Sequence, residues 1–227
     1  MARSRLHFFP LAIPIIIFLF LLIALLVAVF EIGAIQYAYE KIGIHRRYVF
    51  GLLLLTLLGS YVNIPIAKLP AEQVLSNEAV YFFGMRYVIP LVEEGSRAVV
   101  AINLGGAVIP VLVSVYLVLK HGMFGRTLLA IAVVTIVVRW VAKPIRGVGI
   151  AVPIFVPPLV AAAAALLLSP DRAPALAYTG GTLGTLIGGD VLNLGRLRGL
   201  GAPIVSIGGA GTFDGIFLTG IIAVLLA

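Results

Sequence analysis

PALAYTGGTLGTLIGGDVLNLGRLRGLGAPIVSIGGAGTFDGIFLTGIIAVLLA, residues 174–227, is the stretch on which the reading of this chain turns. It consists of two long apolar segments joined by a short basic turn with Arg196 and Arg198, and each segment holds one carboxylate, Asp190 in the first and Asp214 in the second. An aspartate at the centre of a membrane-length helix costs about 2.5–3.5 kcal/mol on insertion scales, so its presence argues for a use. Gly188 and Gly189 precede Asp190, while Gly208, Gly209, Gly211 and Gly215 surround the approach to Asp214. Such a density of glycine lets helices approach closely or lets the backbone leave helical geometry.

Working outward, 62% of the chain is hydrophobic and 11% charged, whereas a soluble domain is about half apolar. Long uncharged runs recur over residues 1–227 with no room for a separate soluble domain. The expected fold is therefore all-α: a single integral membrane domain, a polytopic transmembrane bundle of about seven helices, with the lipid bilayer as its main partner. There is no cysteine, which excludes disulfides and thiolate metal sites, and His7, His45 and His121 lie far apart beside basic residues. No metal and no cofactor are expected, and no phosphate-binding loop is present. The net charge of +7 sits in short loops, where Lys and Arg orient helices, so no nucleic-acid function is read from it.

The expected spans cover residues 8–30, 48–66, 98–119, 123–142, 148–168, 174–193 and about 202–227. The first is too long for a signal-peptide core and is read as a retained helix. Residues 33–47, with Tyr37, Tyr39, Lys41, His45, Arg46 and Arg47, read as an interfacial connection. Residues 68–97 are the least regular part, and AVYFFGMRYVIPLV, residues 79–92, is apolar but too short to cross, which predicts one interfacial or re-entrant segment. Pro153, Pro157 and Pro158 predict a kinked or unwound entry to the fifth span. Loop charge places the N-terminus in the cytoplasm and the C-terminus outside the cell membrane, although Lys41, Arg46 and Arg47 weigh the other way. Ile102-Asn103-Leu104-Gly105-Gly106-Ala107 loosely echoes Val205-Ser206-Ile207-Gly208-Gly209-Ala210.

On this topology Asp190 lies about 9 Å from the inner interface at 1.5 Å per residue. Asp214 would lie about 24 Å deep in a straight helix, too far for the two to meet. A turn and non-helical run between Gly199 and Gly211 would bring Asp214 to the start of its helix, at the depth of Asp190. Two carboxylates sharing a low-dielectric site do not both ionise, so one serves as base toward water and the other as acid toward a carbonyl oxygen. Asp190 and Asp214 are thus the candidate catalytic pair, with Gly189, Gly209, Gly211 and Asn193 as candidate substrate-binding positions around them.

Two aspartates on adjacent helices joined by a cytoplasmic turn, the second after Gly209-Ala210-Gly211, resemble the intramembrane aspartyl proteases, the group of presenilin, signal peptide peptidase and the prepilin peptidases. That family's pattern is Gly-x-Gly-Asp, whereas Thr212 and Phe213 intervene here. The resemblance implies endopeptidase activity on transmembrane peptides. GSYVNIPI, AINLGGAVIP, GTLGTLIGGDVLNL and GGAGTFDGIFLTG also resemble a prokaryotic family of multi-pass membrane proteins described as a domain of unknown function. The alternative reading is a proton- or cation-coupled transporter using the same aspartates, with Asn103, Asn193 and carbonyls near Pro110 and Pro157 completing the site.

Overall fold

The computed structural model describes residues 12–69, 79–82, 85–88, 98–145, 149–199, 204–209 and 212–227. Helix α1 (Ala12–Lys41) begins the described chain and is followed by α2 (Arg46–Gly59). Strand β1 (Asn63–Leu69), the hairpin of β2 (Ala79–Phe82) and β3 (Met85–Val88), and β4 (Ala98–Asn103) come next. A π-helical turn, Leu104–Val108, leads into α3 (Ile109–His121), then α4 (Phe124–Val141). A short hairpin of β5 (Lys143–Ile145) and β6 (Gly149–Ala151) precedes α5 (Val156–Leu168). Helix α6 (Ala173–Thr185) continues as a π segment, Leu186–Asp190, and a 3-10 segment, Val191–Gly199; β7 (Ile204–Ile207) and α7 (Thr212–Leu226) finish the chain.

The fold is thus mostly helical with seven α-helices among the described residues, but not all-α. Strands β1, β4 and β7 form one sheet in the order β1-β4-β7, the first pair antiparallel and the second parallel. They occupy the end of the second expected span and the beginnings of the third and seventh. AVVAIN and IVSI are rich in β-branched residues, which suit a pleated surface, and a short apolar strand has the same hydropathy as a turn or two of buried helix. Hydropathy summed over a span therefore merged strand with helix. The expected interfacial connection at 33–47 is also corrected in part, because α1 runs without a break to Lys41. Of the expected interfacial or re-entrant segment, residues 79–82 and 85–88 form an antiparallel hairpin and the remainder lies outside the described residues. The proline-rich entry to the fifth span is non-helical up to Val156, as expected.

Among the described residues, three helices are long and apolar enough to cross a membrane, Ile16–Lys41, Leu104–His121 and Phe124–Val141. Val156–Leu168 and Gly215–Leu226 are apolar but shorter. Large apolar side chains of the first half of α1, Ile16 to Leu26, are exposed. An uninterrupted apolar helix with no packed face needs an apolar surrounding.

Helix α6 is the centre of the bundle and packs against α3, α4, α5 and α7. Its glycines explain why. A Cβ on Gly180 would lie 2.7 Å from Cβ of Ala130, one on Gly184 2.6 Å from Cβ of Val134, and one on Gly188 2.6 Å from the Thr135 carbonyl oxygen. The partners advance together along both helices, so α4 and α6 run parallel in a small-residue seam where dispersion contacts replace a hydrophobic driving force. Gly181 faces the other way, toward Ala161 of α5 and Thr219 of α7.

The basic residues separate the two ends of this bundle. At one end Lys41 Nζ donates to the Val224 carbonyl at 3.2 Å, Lys120 Nζ to that of Gly43 at 2.6 Å, Arg126 to Ser169 Oγ at 2.8 Å, and Arg172 to the His121 carbonyl. Lys41, Lys120 and Arg172 there satisfy carbonyls that helix C-termini and turns leave over. At the other end lie the C-terminus of α4, the π and 3-10 extension of α6, the sheet, and the starts of α3 and α7.

Candidate functional site

At that second end two strands feed two helices. Asn103, the last residue of β4, is fully buried and its amide is engaged in full view of the backbone. Its Oδ1 accepts from the Gly106 N–H at 2.8 Å and so caps the π-helical turn, while its Nδ2 donates to the Ser60 carbonyl at 2.7 Å and to Asn63 Oδ1 at 3.0 Å. Ser206 of β7 donates its hydroxyl to the same Asn63 oxygen. Asn63 and Asn103 are register partners and Ser206 pairs with Ala101, so the three polar groups share one face of the sheet. Close backbone contact completes the junction: a Cβ on Gly105 would overlap the Thr56 carbonyl oxygen of α2.

The second junction is built differently. Gly208 follows β7 with φ +71°, a left-handed conformation that glycine adopts without penalty, and a Cβ there would lie 2.6 Å from the Gly106 carbonyl carbon. Its N–H donates to Asp190 Oδ2 at 2.7 Å. Asp190 is the last residue of the π segment of α6 and is 6% exposed, so a buried carboxylate from the central helix is tied to the turn that launches α7. A short N–H to carboxylate bond in a poorly hydrated site is among the stronger polar contacts a fold can make.

Asp214 is the third residue of α7 and stands in the first turn of its helix; of the non-helical approach expected from the glycines, residues 204–209 are strand and turn, and 200–203 and 210–211 lie outside the described residues. Its side chain lies outside the described residues. The backbone around it is informative, because Gly215 and Gly189, the neighbours of Asp214 and Asp190, both line one cavity of about 30 Å³. Val152, Pro153, Pro157 and Thr185 contribute to the same walls. Such a volume holds about one water.

The remaining expected positions fall as follows. Gly189 lines the cavity. Gly209 is buried, and a Cβ there would overlap the Ser206 side chain, so glycine is required by the turn itself. Gly211 lies outside the described residues. Asn193 is fully buried; its Nδ2 donates to the carbonyls of Gly188 and Gly189 at 2.8 and 2.9 Å, groups that the widened π turn leaves over. Sequence reasoning missed Asn63, Ser206 and Thr185. Asn63 and Ser206 become informative only when the strands are known, because their shared face depends on register. Thr185 stands in a row with Thr179 and Thr182 on α6 and carried no separate signal.

Among the described residues no group of His, Asp or Glu is gathered as a metal site would need. What the fold and site define is a mostly helical protein with helices long and apolar enough to cross a membrane, in which a buried aspartate of the central helix holds the glycine turn before the last helix. The chain belongs to the family described as Protein of unknown function (DUF1614), which matches residues 57–226. The matched region begins near the end of α2 and takes in the sheet, the glycine seam and both aspartates. No curated protein matches the chain, and no solved structure does.

Proposed function

We propose that this chain is a multi-pass protein of the cell membrane, with its N-terminus in the cytoplasm, that hydrolyses peptide bonds of transmembrane substrates with Asp190 and Asp214 as an aspartyl dyad. The observation that carries the reading is that Gly189 and Gly215, each bonded in sequence to one of the aspartates, line one cavity. The N–H that Asp190 receives from Gly208 suits an acceptor-only carboxylate, so Asp190 is assigned as base and Asp214 as acid. In the first step water loses a proton to Asp190 as its oxygen bonds to the amide carbon, and Asp214 gives its proton to the carbonyl oxygen. In the second the gem-diol collapses: the C–N bond breaks, the nitrogen takes the proton held by Asp190, and Asp214 recovers its own from the diol oxygen. Water is consumed across the amide bond and no other reactant is needed.

The transport reading draws less support, because Asn103, one of its expected ligands, already serves Ser60, Asn63 and Gly106. The experiment reconstitutes the full chain in vesicles and offers a panel of transmembrane peptides. Cleavage that Asp190→Asn and Asp214→Asn each reduce by at least about 1,000-fold, the scale on which acid or base catalysis is lost with its group, supports the dyad. Absence of cleavage by the unmodified chain overturns it. Proton- or cation-coupled uptake abolished by the same two substitutions would transfer the site to transport. Because the chain has no native cysteine, a single cysteine at Arg198 reads the orientation by impermeant labelling: reaction from outside reverses it.

A further inference from the structure

Four cations at one end of the bundle and two at the other differ in what they hold. At the first end Lys41, Lys120, Arg126 and Arg172 each donate to a protein oxygen. At the second end Arg139, in the last turn of α4, and Arg196, in the 3-10 segment after α6, line one open groove of about 400 Å³. Among the described residues neither has a hydrogen-bond or ion-pair partner, and no carboxylate lines the groove. Its other walls are Thr135, Ile136, Trp140 and Leu192. Ile136, Trp140 and Leu192 are exposed, Trp140 at 86%. The floor is the α4/α6 seam, where Thr135 Oγ1 reaches the Gly184 carbonyl at 3.3 Å.

Two guanidinium groups from different elements bring like charges to one concave site, which is unfavourable unless an anion sits between them. Guanidinium groups match phosphate oxygens by paired N–H donors. The Trp and Arg pair at the end of a helix of spanning length is the composition of a membrane–water boundary, and Ile136 and Leu192 offer an apolar wall beside the charged one. We propose that this groove binds an anionic phospholipid, its phosphate between Arg139 and Arg196 and an acyl chain along Ile136 and Leu192. The occupant is a lipid rather than a soluble anion because half of the groove is apolar side chain at the rim of a spanning helix. The inference does not depend on the chemistry at Asp190, but the bound lipid would brace the segment that begins one residue beyond it.

The chain's one tryptophan is Trp140, so its fluorescence reads this groove directly. Purified full-length protein is placed in mixed micelles containing brominated phosphatidylglycerol or brominated phosphatidylcholine, whose bromines quench a tryptophan on contact. The expected result is half-maximal quenching by the phosphatidylglycerol at a mole fraction at least about fivefold below that for the phosphatidylcholine. That preference should fall to less than about twofold in Arg139→Gln/Arg196→Gln and be largely retained in Arg139→Lys/Arg196→Lys. Equal quenching of the unmodified protein by both lipids overturns the proposal without recourse to any variant. So does a preference that survives the double Gln substitution, or one that millimolar inorganic phosphate abolishes, since the latter marks a site for a soluble anion.

Discussion

Two strand-to-helix junctions stand side by side at one end of this molecule and solve the same problem in opposite ways. Both strands are parallel, both run into a pair of glycines, and both hand over to an apolar helix. In the β4–α3 junction the polar group is Asn103, which caps the turn that follows it and ties it to α2 and β1. In the β7–α7 junction a turn N–H, that of Gly208, is satisfied from outside, by Asp190 at the end of the central helix. The difference teaches what a buried polar residue is for. An uncharged amide whose oxygen and nitrogen are both engaged, by the turn, the end of α2 and β1, is scaffold. A carboxylate is costlier to bury than an amide, and one that ties the central helix to the turn before α7, next to a residue that lines a cavity, is the group on which the proposed chemistry rests. The short sequence echo between the two junctions pairs Ile102 with Val205, whereas the sheet pairs Ile102 with Ile207. The two units also repeat in the same sense, because their strands are parallel.

The comparison is broken most violently at the glycines. In Gly105→Val the new side chain meets backbone of α2, the Thr56 carbonyl and the Ser60 N–H, neither of which can rotate away. The expected loss is about 3 kcal/mol or more, at or beyond the upper end for overpacking, and no monodisperse protein should be recovered. Gly208→Ala adds a left-handed penalty of about 1–2 kcal/mol to an overlap with Gly106 and Ala107. Gly125→Ala, with no atom within 4 Å of the added methyl, gains about 0.5–1 kcal/mol from helix propensity. Size-exclusion profiles and thermal unfolding in detergent separate the three. A well-folded Gly105→Val would show that α2 does not pack against the β4–α3 junction as described.

The scaffold and chemical roles come apart in a second set. Asn103→Ala leaves the Gly106 N–H without its cap and the Ser60 carbonyl without its donor, and is expected to lower stability by about 1–3 kcal/mol. The molecules that still fold should retain their turnover. Asp190→Ala leaves the Gly208 N–H without its acceptor, at a similar penalty of about 1–3 kcal/mol. Asp190→Asn keeps an oxygen for that N–H, so its unfolding midpoint should move by the equivalent of no more than about 1 kcal/mol while cleavage disappears. Parallel unfolding and activity measurements decide the matter. Unaltered cleavage in a folded Asp190→Asn protein would reduce Asp190 to the same kind of residue as Asn103.

How much of this was legible in the sequence depends on the length scale of the signal. The helical cores were readable because apolar runs of that length have few alternatives. The glycines before Asp190 and around Asp214 were readable as places where the backbone departs from a regular helix, and α7 does begin just ahead of Asp214. The sheet was not. Strands of four to seven residues, Ile204–Ile207 and Asn63–Leu69 among them, add the same hydropathy to a window as helix, and their pairing spans distant parts of the chain. Asn103 illustrates the consequence: as a lone amide within an apolar run it suited a ligand for a cation, and only the register that sets it opposite Asn63 shows it as part of a closed network.

The smallest expected effect tests that network at its edge. Ser206 donates its hydroxyl to Asn63 Oδ1, which also accepts from Asn103, and Asn63 is exposed. Ser206→Ala therefore removes one donor from an oxygen that keeps another, with solvent available to both, and should lower stability by only about 0.5 kcal/mol. The single value is too small to interpret alone, so the informative quantity is its coupling to Asn63→Ala. Removing Asn63 takes away the acceptor, after which removing the hydroxyl should make almost no difference, giving an interaction energy close to the whole effect of the single substitution. Ser206→Ala with the same effect in both backgrounds would mean that the β7 hydroxyl does not lean on β1. Among the described residues the two junctions would then be joined through β4, the contact of Gly208 with Gly106 and the packing of α7 on the π-helical turn, and the sheet would link the site to the scaffold less firmly than its hydrogen bonds imply.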